Sequence, residues 1–277
     1  MVTRQYAAPR SRGRRFLSGG EVDRVGQIIS RGCLMQVVCL TVFRFPKVMD
    51  RLWAVGQMAL GHWSLSRMKG LEFYRLMGSG TQEGFTPIPN TAVWGILTVW
   101  PDEEIARKQV MTHPFFNAYR RRAAESWTVF MEPTRARGKW GGAERLRPVP
   151  DDAMTPDGPV VALTRAQVRP GSAVAFWSRV PKIQTMIGAD PNVRFKLGLG
   201  EFPLFFQMTF SIWPNRATMD AFARGETPHG QAIRSAYDDK WFTEDMYARL
   251  RVTGSEGTWN GADPLEGLIF EGVAKAA

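Results

Sequence analysis

The 277-residue sequence predicts an α+β fold assembled from two tandem copies of a βαββαβ unit, and three observations carry that prediction. The chain repeats itself, its apolar runs alternate at strand period, and prolines with ordered charges punctuate its helical stretches. The repeat is the strongest of the three. Val37-Val38-x-Leu40-Thr41 returns as Val160-Val161-x-Leu163-Thr164, and Leu52-Trp53 is echoed by Phe176-Trp177. Gly78-Ser79-Gly80 matches Gly198-Leu199-Gly200, and Thr98-Val99-Trp100-Pro101 matches Ser211-Ile212-Trp213-Pro214. Lys139-Trp140-Gly141-Gly142 is answered by Thr258-Trp259-Asn260-Gly261, and the offset drifts only between 113 and 124 residues. Two copies that differ by small loop insertions behave this way, and the interface between copies is a natural place for a ligand.

The first copy reads as a strand over about 35–45, a helix over 46–65, strands near 71–77 and 91–100, helices from Pro101 and a strand around 126–133. The second reads as a strand over 160–168, a helix over 172–187, strands over 193–199 and 204–213, helices from Pro214 and a strand over 246–253. Strand order of this kind, twice, gives tandem ferredoxin-like units. Val93, Gly95, Leu97 and Val99 alternate with Trp94, Ile96, Thr98 and Trp100, apolar on both sides, so both faces of the sheet should be covered. Pro101 and Pro214 suit a first helical position, where a missing N–H costs nothing. Asp102, Glu103 and Glu104 favour the helix start and Arg120, Arg121 and Arg122 its end. Pro114 and Pro228 should each split a helical stretch in two. The glycine triplets at 78–80 and 198–200 read as hairpin-type connections.

The organisation that follows has a basic N-terminal extension over 1–33, repeats over 34–140 and 159–264, a linker over 141–158 and a C-terminal tail over 265–277. The extension, with Arg4, Arg10, Arg12, Arg14 and Arg15 among Pro, Ser and Gly, has the composition of a solvated tail. Ten tryptophans and 17 phenylalanines exceed the needs of a minimal core and can also line an apolar cavity. The net charge of +10 suits an anionic partner. Cys33 and Cys39, without metal-ligand spacing, read as reduced structural thiols. No apolar run reaches the roughly 18 residues of a membrane span, and no signal peptide is evident, so a cytoplasmic protein is expected, with peripheral contact on the inner or intracytoplasmic membrane admitted by the basic charge. The basic residues are scattered or confined to the tail and do not flank exposed aromatics, so nucleic acid is not an expected partner.

Three histidines are present. His62 sits near a helix end, and His113 lies at a helix start. Thr227-Pro228-His229-Gly230 has an N-cap, a first-turn proline and then His229. The positive end of a helix disfavours imidazolium, and neutral imidazole is the form that ligates a metal. Position alone favours a structural role for His229, capping a turn or satisfying a buried carbonyl. Aligning the prolines places Phe115 opposite His229, so only the second copy has a histidine there. No other catalytic motif is evident: no GxSxG, HExxH or P-loop occurs.

Several longer stretches carry a family resemblance. Leu40-Thr41-Val42-Phe43-Arg44-Phe45, Arg51-Leu52-Trp53-Ala54-Val55-Gly56-Gln57-Met58, Met77-Gly78-Ser79-Gly80-Thr81 through Gly84-Phe85-Thr86-Pro87, Val99-Trp100-Pro101-Asp102-Glu103, Phe210-Ser211-Ile212-Trp213-Pro214 and Pro228-His229-Gly230-Gln231-Ala232-Ile233-Arg234 resemble the bacterial spheroidene monooxygenase family. The resemblance runs from about 35 to 264. It implies the dimeric α/β-barrel type of fold and a haem-dependent 2-ketolase of acyclic carotenoids in photosynthetic bacteria, acting on spheroidene and hydroxyspheroidene. It implies O2 as co-substrate, ferredoxin as electron donor, and two successive hydroxylations followed by loss of water to the ketone. Because the axial histidine of related haem proteins comes from the second repeat, the resemblance selects His229 as the iron ligand. Trp94, Phe202, Phe205, Phe206 and Met208 would then be available to line a substrate tunnel, and Arg194 and Lys196 to stand on the distal side. Other catalytic residues stay unassigned, as does the choice between monomer and homo-oligomer. The alternative is a non-catalytic haem- or carotenoid-binding protein of the same fold.

Overall fold

A computed structural model describes residues 35–81, 84, 86, 88–150, 157–178, 190–202, 205–224 and 241–268. The first repeat contributes β1 (Val37–Arg44), α1 (Val48–Leu65), β2 (Phe73–Gly80), β3 (Pro89–Trp100), α2 (Glu103–Thr112), α3 (Pro114–Arg120) and β4 (Glu125–Gly138). The second contributes β5 (Val160–Val168), a 3-10 turn at Pro170–Ser172 running into helix at 173–178, β6 (Phe195–Phe202), β7 (Phe206–Trp213), α4 (Arg216–Arg224) and β8 (Phe242–Gly257).

One chain closes the barrel by itself, in the antiparallel order β1-β3-β2-β6-β7-β5-β8-β4. Each repeat supplies a four-stranded half-sheet, and two seams join them. One is long, from Trp127 opposite Gly257 to Gly138 opposite Met246. The other is short, with Gly78 opposite Gly200 and Ser79 opposite Leu199. The glycine triplets are therefore strand residues at a seam, not hairpin turns. Their lack of side chain has a steric reason: a Cβ on Gly80 would lie 2.5 Å from the Gly84 carbonyl, and one on Gly200 3.0 Å from that of Phe206. Nearby, Gly95 leaves the space into which Leu199 of the other repeat projects.

Strand alternation sends one set of side chains inward. Val38, Leu40, Val42, Val161, Leu163 and their counterparts on the other strands fill the barrel. The opposite parity of the first half-sheet, including Cys39, Phe43, Leu76, Ile96, Trp100 and Phe130, packs beneath α1–α3. Both faces are thus covered, as the doubly apolar pattern of β3 requires. Burial pushes the Cys39 thiol up, so it remains a neutral thiol. The repeats also share details: Trp100 donates to Thr98 at 2.9 Å and Trp213 to Ser211 at 3.0 Å.

The prolines behave in two ways. Pro114 does open α3, with the break expected there. Pro101 lies ahead of α2, whose N-cap is Asp102; its carboxylate accepts the Ile105 N–H at 2.8 Å. Asn215 does the same for the Thr218 N–H at 2.9 Å, one residue after Pro214. A side-chain acceptor can satisfy an open N–H at the helix start and proline cannot, so the cap falls on the polar residue. Beyond the expected end at 133, β4 runs to Gly138. After it the chain turns at Trp140–Ala143, and after β8 it turns at Trp259–Ala262. The two turns cross over: Lys139 bonds to Asp245 in the second repeat, and Thr258 to Ser126 in the first. Trp140, Leu146, Trp259 and Leu265 are buried as part of the barrel cluster.

Candidate active site

Register makes the two half-sheets directly comparable. Val37 stands opposite Trp100 and Val160 opposite Trp213, so each outward position of one half has a counterpart in the other. Six of these in the first half are Cys39, Thr41, Phe43, Leu76, Ile96 and Phe130. Their counterparts are Ala162, Thr164, Ala166, Gly198, Thr209 and Arg249. Bulk has been removed at four of the six. Phenylalanine becomes alanine, leucine becomes glycine, isoleucine becomes threonine and cysteine becomes alanine.

Accessibility differs between the halves at part of this set, for Ala166, Gly198 and Arg249 stay buried in the second half. Cys39, Thr41 and Phe43 are fully buried. Thr164 is exposed, while Ala162 and Thr209 are half-buried. In the first half Thr128 donates to Thr41 at 3.0 Å inside the core. In the second, Tyr247 takes the place of Thr128 opposite Thr164. The outcome is a floor of small side chains bordered by polar ones: Tyr247, Arg249 and Gln207, with Lys196 on the same face opposite Ser211. Burial pushes the Tyr247 phenol up, reinforced by Asp220 and opposed by neighbouring arginines, so its proton is held well above neutral pH.

The proposed iron ligand His229, with Thr227, Pro228 and Gly230, lies outside the described residues. Phe115, which the proline alignment sets opposite it, is buried against Phe116 and Tyr119 in the core beneath α1. The two described histidines serve local structure. His113 caps α3, its Nδ1 accepting the Phe115 N–H at 3.1 Å, and the exposed His62 lies 3.2 Å from the Tyr74 hydroxyl. Among the described residues no group of three or more His, Cys, Asp or Glu is placed to hold a metal.

The proposed tunnel residues do not share one wall. Met208 is buried inside the barrel. Phe206 lies at the end of β7 under the Arg165 guanidinium, followed outward by half-buried Phe205. Trp94 packs on the outer face of the first half and donates to Thr91 at 2.7 Å. Phe202 has its backbone in β6. Of the two distal candidates, Lys196 reaches the second outer face, whereas Arg194 is exposed ahead of β6.

A second polar cluster, unmarked in the sequence, straddles the repeats. Glu201 accepts from Trp140 Nε1 at 2.6 Å and pairs with Arg75 at 2.6 Å. Glu244 pairs with buried Arg165 and accepts the Gly141 and Gly142 N–H groups at 2.9 and 2.6 Å. Every carboxylate here has a charged partner from another strand, which fits a clamp holding the 139–143 turn in place.

Comparison with known proteins decides the family. Spheroidene monooxygenase of Rhodobacter capsulatus is 49% identical over 237 residues, covering 86% of this chain and 98% of the relative. That of Cereibacter sphaeroides is 45% identical over 232 residues, covering 83% and 71%. The chain belongs to the spheroidene monooxygenase family. A third member, from Rubrivivax gelatinosus, is 36% identical over 214 residues, covering 76% and 80%. No family model matches the chain. Among solved structures, aldoxime dehydratase in complex with butyraldoxime superposes with a TM-score of 0.53 at 8% identity, covering 80% of each chain. A second aldoxime dehydratase gives 0.52 at 9% identity, covering 79% and 82%. At such identity the likeness is one of fold alone. As a member of the spheroidene monooxygenase family the chain is an oxygen-using oxidoreductase.

Proposed function

We propose that this spheroidene monooxygenase family member is a haem-dependent 2-ketolase of acyclic carotenoids, with its reaction site on the outer face of the second half-sheet. Sequence relationship to the curated family supports the carotenoid monooxygenase activity. The observation that carries the location is the loss of bulk across equivalent registers, from Phe43, Leu76 and Ile96 to Ala166, Gly198 and Thr209. A floor of small side chains suits a broad planar group, because each missing side chain would otherwise fill the layer next to the sheet. His229 would hold the haem iron, and bound haem supplies the O2 activation.

The chain's own residues set the surroundings. Ala162, Thr164 and Thr209 leave part of the layer accessible, and the Tyr247 phenol keeps a proton at the edge of that face. Spheroidene and hydroxyspheroidene are the proposed substrates. Two hydroxylations at one carbon each consume O2, two electrons and two protons and release water; the gem-diol then loses water to give the ketone. Ferredoxin is the proposed electron donor, and the net positive charge of +10 suits docking of an acidic protein. The substrate is lipid-soluble, so the protein must collect it from a membrane. No described helix is long and apolar enough to cross a membrane.

The test is the absorption spectrum of purified protein produced with ample haem, beside His229→Ala. A Soret band that collapses in the variant is expected. Full haem retention in the variant overturns the ligand assignment, with His113 and His62 the remaining histidines. Ketone formation from spheroidene with ferredoxin and reductant separates the enzyme from a haem- or carotenoid-binding protein without activity.

A further inference from the structure

A helix packed on a sheet normally turns a polar face to water. Helix α1 does not. Its inner face, with Ala54, Gly61 and Leu65, is buried on the first half-sheet. On the opposite side Val48, Met49, Leu52, Val55, Leu60 and Trp63 are 46–75% exposed. Together with exposed Gly56 and Ala59 they span an arc of about 140° at 3.6 residues per turn. No charged or hydrogen-bonding side chain falls within that arc apart from the indole N–H of Trp63. A Cβ at Gly56 would meet nothing within 4 Å, so the strip is smooth as well as apolar.

Cations frame it. Lys47 and Arg51 stand at its start and Arg67 and Lys69 just past its end, against a single acidic residue, Asp50, in the helix. Arg67 lies over the Trp63 ring at 4.5 Å, and Arg122 over the Trp53 ring at 4.4 Å. An apolar strip rimmed by cations, with tryptophan and arginine together at one end, is the surface that lies in the headgroup layer of an anionic bilayer. A second copy is the poorer occupant. Antiparallel pairing of two α1 helices would bring Lys47 and Arg51 of each against Arg67 and Lys69 of the other. The barrel is also complete within one chain.

We propose that α1 docks this protein flat on an anionic lipid bilayer. The proposal deepens, and rests on, the reading of a lipid-soluble substrate, because it assigns the surface through which the protein meets the substrate's solvent. Flotation of the full-length protein with vesicles of phosphatidylcholine mixed with phosphatidylglycerol tests it. The wild type is expected to float with the mixed vesicles, and to float less with phosphatidylcholine alone or at raised salt. The Leu52→Glu/Leu60→Glu double variant is expected to lose about tenfold or more of its bound fraction. It should retain its circular dichroism spectrum and its turnover of detergent-dispersed carotenoid. Trp63→Ser, a milder change, is expected to give an intermediate loss. A double variant that floats like the wild type assigns binding to another surface and overturns the proposal. So does a wild type that stays off the vesicles and sediments as a dimer that the variant dissociates. Flotation requires neither haem nor turnover, so loss of the ketolase reading alone would leave helix-dependent flotation intact.

Discussion

The outer faces of the two half-sheets share register, strand order and several side-chain details, yet they do different work. Over the first half, Phe43 meets Tyr119 at 4.9 Å, and Trp53 meets Tyr119 at 4.8 Å, in a continuous aromatic core beneath the helices. Over the second, the counterparts of Cys39, Phe43, Leu76 and Ile96 are alanine, glycine and threonine, those of Thr128 and Phe130 are Tyr247 and Arg249, and Thr164 is exposed. One copy keeps its sheet–helix layer filled with its own side chains, and the other reduces them. Duplication permits this because the barrel interior, which both copies need, is built from the opposite strand parity. Outward positions can therefore change without disturbing the closed barrel.

The sharpest way to break the comparison is to give the first half the second half's residue. Phe43→Ala should cost about 3–5 kcal/mol, seen as a fall in melting temperature of roughly 10 °C. A fall of only a degree or two would show that the first outer face is not the filled one. The reverse exchange, Ala166→Phe, places a large ring at a buried position and should cost about 1–3 kcal/mol by overpacking while lowering haem content and ketone formation by about tenfold, worth about 1.4 kcal/mol. Unchanged haem content would move the site off this face.

A smaller effect compares the crossed turns. Glu244 holds two backbone N–H groups and Arg165. Its counterpart Glu125 holds the Gly261 N–H at 2.7 Å and Arg44 at 3.6 Å. Glu244→Gln should cost about 1 kcal/mol more than Glu125→Gln in denaturant titrations. The Glu244 carboxyl feels burial, which pushes it up, but the Gly142 and Gly141 N–H groups and Arg165 outweigh that and hold it below its ordinary 4.5. A carboxyl depressed on folding stabilises fully above its unfolded value, and that stability disappears as pH falls from about 4.5 through the folded value. Wild-type stability should therefore fall more steeply than that of Glu244→Gln below this pH. Parallel acid profiles would show that the clamp contributes nothing.

Much of this molecule was determined by sequence alone. The duplicated strand motifs, the doubly apolar pattern of β3 and the break at Pro114 are local patterns, set by hydrophobic period and backbone chemistry, and they specify α+β tandem units directly. The stretches around Thr41, Trp53, Trp100 and Trp213 carried the family resemblance that the relatives bear out. The comparison of outward positions was latent in the same repeats, since pairing Val37 with Val160 and stepping by two residues leads to Phe43 against Ala166. Other features waited for tertiary structure. Gly78 and Gly200 look like turn residues because glycine permits turns, and only closure of the barrel shows them paired in seam strands, with the Gly80 and Gly200 backbones too close to other carbonyls for a side chain. Arg75, Arg165, Glu201 and Glu244 come from four different strands, so no spacing in the sequence announces their cluster. The exposed side of α1 belongs here too: the helix carries apolar residues on two sides, and only the packing of one against the sheet reveals that the other is left to water.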